Sequence, residues 1–290
     1  MIKIVYLKPQ SGYRGSFRSD TLWGIFCWAI HQVYGEQGKS RLNNFLASYK
    51  TDHPALVISS TFPYKQIGGE KIKYFPMPIL PRKTLSLENK RLETNKTRFK
   101  DDIRARLVTA NEGKKVRKQK YLSEEQFFGV MEGSENTQTI SDRFWEEKSE
   151  EEKTYEQAPD LKSINVTHNA IDRIKGGTIK RNNAGQLFHV AENFLKDENN
   201  DGEGQDNVGL FFLAKVNDVP LFETVLRFLT HAGLGGDRNT GKGHFHITSQ
   251  DISLPQVEQP NAMVNLSLFT PTQQEVLAFN QKPDLFRYRL

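Results

Sequence analysis

Twice along these 290 residues a strand-like run gives way to an amphipathic helix that stops at glycine, and this repetition leaves few architectures open. Residues 2–7 alternate with period two and read as a strand. After the polar loop Pro9–Arg18, residues 20–34 put Leu22, Ile25, Phe26, Ala29 and Val33 at helical spacing. Ser19 is the expected N-cap, Asp20 suits the positive end of the helix dipole and Gly35 suits C′. Trp23 and Trp28 widen the apolar face. The second instance is Pro220–Ala232, with Leu221, Phe222, Val225, Phe228 and Leu229 on one side and Gly233 at its end. A glycine-rich loop, 233–243, leads from it into the alternating run His244–Ile247. Residues 55–61, 187–195 and 208–216 are strand-like, the last two joined by a polar turn over 196–207. Tyr74–Pro81 is extended, but its prolines argue against a central strand. Ser123–Met131 reads as a short capped helix.

The resulting order, β-α-β-β-α-β, is that of a ferredoxin-like (RRM-like) α+β fold. An apolar run at Met263–Phe269, followed by a helical stretch from Pro271, predicts the start of a second such module, reduced or truncated. The boundary then divides 1–255 from 256–290.

A long insertion interrupts the first module at 82–160. Residues 82–120 carry fourteen Lys/Arg against five Asp/Glu, a net of +9. Residues 121–160 carry three against twelve, a net of −9. The whole-chain charge of +5 hides this reversal. Two solvated segments that attract each other would explain it, as would a basic surface along a phosphate backbone. Cys27 is the only cysteine, which excludes an intrachain disulfide and a cysteine-built zinc site. No run approaches the roughly 18 apolar residues of a membrane helix. The first residues lack the pattern of a signal peptide. A cytoplasmic protein with no membrane partner is the expectation.

Gly236–Gly243 fits G-x-x-x-x-G-K, but the next position is Gly243 where magnesium needs Ser or Thr. The context is helix-loop-strand, the reverse of a nucleotide-binding P-loop. The loop can still cradle an anion, because its glycines let N–H groups approach closely and Arg238 and Lys242 add charge. Arg14 and Arg18, before the first helix, would complete an anion site at its N-terminus or simply be solvated. Asp197–Glu203 begins like a calcium loop, yet position twelve is Val208, so a turn is the better reading. The seven histidines, among them His168, His231 and His244, show no metal spacing, and no cofactor is expected.

Three segments together, FRSDTLWG at 17–24, HNAIDRIKGGT at 168–178 and GLGGDRNTGKGHF at 233–245, resemble the RAMP superfamily of CRISPR effector proteins. With 115–133 and 266–275 they look most like the type III-A (Csm) subunit that binds the 5′ end of crRNA. That resemblance implies a non-catalytic subunit of an RNA-guided antiviral complex. It would bind the crRNA 5′ handle, join the large polymerase/cyclase-like subunit and touch an adjacent RAMP backbone subunit. The RNA-binding candidates are Arg14, Ser16, Phe17, Arg18, Lys118, Lys120, His168, Asn169, Arg173, Gly235, Gly236, Arg238, Asn239, Thr240, Gly241, Lys242 and Gly243. Phe17 is the stacking candidate and Asn169–Arg173 the base-reading one. Two rivals stay open: a metal-independent endoribonuclease that processes precursor crRNA with a histidine base, and an RNA-binding scaffold outside CRISPR.

Overall fold

A computed structural model describes residues 1–79, 119–136, 139–140, 158–181, 184–196, 208–260 and 262–281. Most of the charged 82–160 segment, the 197–207 turn and the last nine residues lie outside the described residues. The described chain divides into two compact units. One holds residues 1–71, 159–253 and 266–268; the other holds 72–158, 254–265 and 269–290.

The first unit is a mixed α/β body on an antiparallel sheet. Strand β1 (Ile2–Pro9) runs between β12 (Val208–Val216) and β13 (Phe245–Asp251), antiparallel to both. On its other side β12 pairs with β2 (Leu56–Ile58) and β3 (Phe62–Ile67). One face of the central pair, with Val5, Leu7, Leu210, Phe212 and Ala214, meets helices α1 (Ser19–Val33) and α4 (Val219–Ala232). Phe26 of α1 stacks on Phe222 of α4 with ring centroids 5.6 Å apart. The opposite face, with Ile4, Tyr6, Phe211 and Leu213, is buried as well. Burial on both sides is why 208–216 reads as an unbroken apolar run.

The helix limits follow their caps. Asp218 accepts from the Leu221 N–H at 3.1 Å, and Gly233 ends α4 with φ +74°. Gly35 (φ +52°) lies just beyond α1, as expected of C′. Ser19, however, is inside α1 and not its cap. Its hydroxyl accepts from the Leu268 N–H at 2.9 Å, while Arg18 occupies the cap position with no side-chain bond. The 55–61 run is not continuous. It breaks at Ser59, whose hydroxyl takes the Leu213 N–H at 2.9 Å, so β2 ends and β3 starts afresh at Phe62. Helix α2 (Gly38–Ser48) had no sequence signal, being polar but for Leu42, Phe45, Leu46 and Ala47. It docks on Trp23 through Phe45 and Tyr49, and burial pushes the Tyr49 phenol up to about 12.

The expected hairpin between 187–195 and 208–216 does not form. Strand β11 (Leu187–Lys196) pairs instead with β6 (Asp160–Asn169) as a separate two-stranded ribbon, Leu187 opposite Asn169. Two-residue pairs continue it, β7 (Ile171–Asp172) with β8 (Gly177–Thr178) and β9 (Lys180–Arg181) with β10 (Ala184–Gly185). Residues 263–269 also form no strand; Met263 is 96% exposed, and Leu266 O accepts from the Ser60 N–H at 2.9 Å. Helix α5 (Gln273–Gln281) follows, capped by Thr272 and Glu275 instead of Pro271.

In the second unit β4 (Glu70–Pro76), most of which lies there, pairs with β5 (Tyr121–Ser123), and Pro76 closes the strand. Ser123 and Gln126 form a capping box for α3 (Glu124–Glu132), the short helix foreseen in the sequence. Phe75 stacks on Phe127 at 4.6 Å.

Two outcomes follow from this packing. Phe222→Ala should cost about 3–5 kcal/mol in urea denaturation; a loss below about 1 kcal/mol would place Phe222 outside the core. Lys3, almost fully buried, hydrogen-bonds Asp251 at 3.1 Å and lies 3.6 Å from Glu223, and these partners raise its pKa above 10.5. Its contribution is complete below 10.5 and lost as pH rises through the higher folded value. Asp251→Asn should therefore destabilise the protein at neutral pH and flatten its alkaline loss of stability, read by denaturant melts across that range.

Candidate nucleic-acid interface

The register of β1 against β13 decides which loops meet. Pro9 lies opposite Phe245, so the chain leaving β1 and the chain entering β13 emerge side by side. The 10–18 loop is pinned to the glycine loop by backbone bonds. Gln10 N–H donates to His244 O at 2.8 Å, Gly243 N–H to Gly12 O at 2.9 Å and Gly236 N–H to Arg14 O at 3.3 Å. Leu234 N–H closes the glycine loop on Gly243 O at 2.8 Å.

Glycine is needed where these chains touch. Gly235 has φ +89°, and a Cβ there would come 2.5 Å from the Arg14 carbonyl oxygen. Gly243 has φ +71°, and its Cβ would collide with the Leu234 carbonyl. Asp237 takes a left-handed conformation (φ 59°) and starts the short 3-10 turn Arg238–Thr240.

The two loops and α1 enclose an open groove lined by Arg14, Gly15, Ser16, the largely buried Phe17, Thr21, Gly24, Ile25, Trp28, Gly235, Gly236 and Arg238. The Arg238 guanidinium lies over the Trp28 ring, 4.1 Å from its centroid. Arg14 donates to Asp237 at 3.1 Å at the exposed rim. Of the candidates named from the sequence, Arg14, Ser16, Phe17, Gly235, Gly236 and Arg238 are thus brought together. Asn239, Thr240 and Gly241 are exposed in the adjoining turn, and Arg18 is exposed at the start of α1. Arginine cations beside exposed glycine backbone can hold phosphate oxygens.

Phe17 is only 3% exposed, stacked on Tyr13 at 5.3 Å and edge-on to Phe245 at 5.6 Å. Its ring roots the loop in the core and is not offered to a base. Other candidates are placed differently. The α1 N-terminus is not an open anion site either: Ser19 N–H donates to Ser60 Oγ at 3.1 Å and Thr21 N–H to Asp20 Oδ1 at 2.7 Å. Lys242 points away from the groove lining to the buried carboxylate of Glu192, at 2.7 Å. Gly243 is buried. On the ribbon, His168 stacks on Phe188 at 5.4 Å, with Nε2 3.7 Å from Glu192 Oε1. Asn169 is exposed and donates to Thr178 Oγ1 at 3.0 Å, and Arg173 is exposed in the turn after β7. Lys120 is exposed in the second unit; Lys118 lies outside the described residues.

Sequence reasoning missed Trp28 and Glu192. Trp28 was assigned to the core, although Thr21, Gly24 and Trp28 recur at helical spacing as two small residues below one large ring. Glu192 interrupts the apolar set Phe188, Val190 and Phe194 on one side of a strand, a signal for a buried, partnered charge. Burial pushes the Cys27 thiol up to about 11, so it is no thiolate nucleophile at neutral pH. Among the described residues no group of three His, Cys, Asp or Glu is placed to hold a metal ion, and no helix is long and apolar enough to cross a membrane.

An antiparallel sheet with two helices on one face, and a glycine loop between the second helix and the next strand, makes the first unit a mixed α/β module. The RAMP superfamily family model matches residues 10–246, and the chain belongs to that superfamily. It is also similar to a chain in a crystal structure of a Csm1–Csm4 cassette in complex with cA4. That match has 20% identity, covers 89% of this chain and 73% of the other, and has a TM-score of 0.46. The corresponding values for the cassette with cA3 are 19%, 90%, 72% and 0.45. For a cryo-EM structure of a type III-B Cmr-beta complex bound to cognate target RNA and AMPPnP they are 10%, 88%, 66% and 0.37. No curated protein matches the chain.

The loop geometry separates two glycine substitutions. Gly241 has φ +82° but open space around a Cβ, so Gly241→Ala should cost about 1–2 kcal/mol. Gly243→Ala adds a backbone collision and should cost clearly more. Equal losses in thermal denaturation would contradict the described closure.

Proposed function

We propose that this chain is a non-catalytic RNA-binding subunit of a type III CRISPR effector complex, whose groove between the 10–18 and 233–243 loops tracks the backbone of the crRNA 5′ handle. One observation carries the reading. Segments more than 200 residues apart bring Arg14, Arg238, Gly235 and Gly236 around one open groove. Membership of the RAMP superfamily over 10–246 supports it. The β13-β1-β12-β3 order with two helices on one face supports a ferredoxin-like reading of the first unit. Contacts with a large polymerase/cyclase-like subunit and with an adjacent RAMP backbone subunit belong to the same proposal.

The chemistry favours holding over cutting. Phosphate contacts need cations, which Arg14 and Arg238 supply, and they position RNA without reading sequence. Among the described residues no histidine lines the groove. The His168 Nε2 atom is covered and faces a carboxylate, a poor place for a base that must reach a 2′-hydroxyl.

The test is binding of a single-stranded RNA carrying a crRNA handle across a salt series. Arg14→Ala and Arg238→Ala should each weaken binding and lower the salt slope by about one unit. Unchanged affinity in the double variant would sink the assignment. Metal-independent cleavage of precursor RNA by the pure protein would overturn the non-catalytic reading.

A further inference from the structure

Lys242 is one of the two glycine-loop cations that the sequence offers to a phosphate, and the structure gives it another partner. Its Nζ donates to Glu192 Oε2 at 2.7 Å, and the Glu192 side chain is 3% exposed against 31% for Lys242. The other carboxylate oxygen, Oε1, faces His168 Nε2 at 3.7 Å across the ribbon. The carboxylate also packs on the 10–18 loop, where a Cβ on Gly12 would lie 3.1 Å from Oε2. A carboxylate this deeply buried needs a partner, and removing that partner costs far more than breaking a surface pair. The next residue of β11 grips the same loop. Asn193 and Tyr13 exchange backbone hydrogen bonds at 2.7 and 3.2 Å, and Asn193 Nδ2 donates to Gly15 O at 2.8 Å.

We infer that Glu192 is a positioning residue: with Asn193 it clamps the glycine loop and the 10–18 loop to the β6–β11 ribbon, so that Lys242 anchors the loop and does not touch phosphate. This rests on the RNA-binding reading of the groove, but its first test does not depend on RNA. One strand thereby fixes two loops from opposite ends of the chain. Arg14 and Arg238 are left as the cations of the groove lining.

The experiment uses the full chain with Glu192→Ala, Lys242→Ala and the double variant E192M/K242M, in which an apolar pair of similar length replaces the ion pair. Amide hydrogen exchange should show that each alanine variant loses protection at 11–16 and 233–243 while β1 and β12 stay protected. The methionine pair should regain loop protection. Binding of a single-stranded RNA oligonucleotide should weaken to a similar extent in both alanine variants, with unchanged salt slope, and recover in the methionine pair. Unchanged loop protection in both alanine variants overturns the proposal. So does a salt slope lowered by about one unit in Lys242→Ala with its loops still protected, because Lys242 would then be a phosphate ligand. If an alanine variant also loses core protection, the methionine pair decides: protected loops support the clamp, and exposed loops or an unfolded core overturn it. Failure of the wild-type chain to bind the RNA would defeat the reading of the groove, while the exchange experiment still judges the clamp.

Discussion

The pairing of β1 with β12 is the constraint on which the rest of the first unit depends. It joins residues 2–7 to 210–215, so a very long loop must close before the sheet can form. Burial of both faces of the pair offsets that entropy: Val5, Leu7 and Phe212 under the helices, Ile4, Tyr6 and Phe211 on the other side. Once β1 is central, β13 adds to its free edge, and Pro9 meets Phe245. The loop after β1 and the loop before β13 then have to share one end of the sheet. The candidate interface is a geometric consequence of strand order.

Charge in that interface is organised by pairing more than by amount. Of the loop cations, Arg14 is shared with Asp237 at an exposed rim, where an ion pair is worth about 0–1 kcal/mol and yields readily to a phosphate. Lys242 is committed to a buried carboxylate and does not yield in that way. Arg238 has an aromatic face in place of an acid, which leaves its charge available while restricting its orientation. The net charge of the chain says little about any of these three situations.

Much of the architecture was legible from local pattern. The helices over 19–33 and 219–232 carry their own helical period, the helix after Ser123 its capping box, and the strand over 208–216 its unbroken apolar run. The errors have physical causes. Residues 187–195 and 208–216 look like a hairpin because they are adjacent strands in sequence, but pairing with β6 satisfies β11 and leaves β12 for the sheet. The polar α2 gains its place from tertiary contact of Phe45 and Tyr49 with Trp23, which no intrinsic propensity announces. Phe17, in a loop between arginines, reads as an exposed ring; two neighbouring aromatic rings bury it.

Sequence pattern was enough for the helices over 19–33, 124–132 and 219–232, the apolar strand over 208–216, the glycine loop between a helix and a strand, and the residue types able to meet an anion. Those depend on short-range periodicity, capping and the missing Cβ of glycine, all of which act within a few residues. Only the tertiary structure decided that Arg14 and Arg238 line one groove with Trp28, that Phe17 is core, and that Lys242 belongs to Glu192. These outcomes turn on which partner, tens to hundreds of residues away, desolvates or neutralises each side chain, and that is a property of strand register and packing.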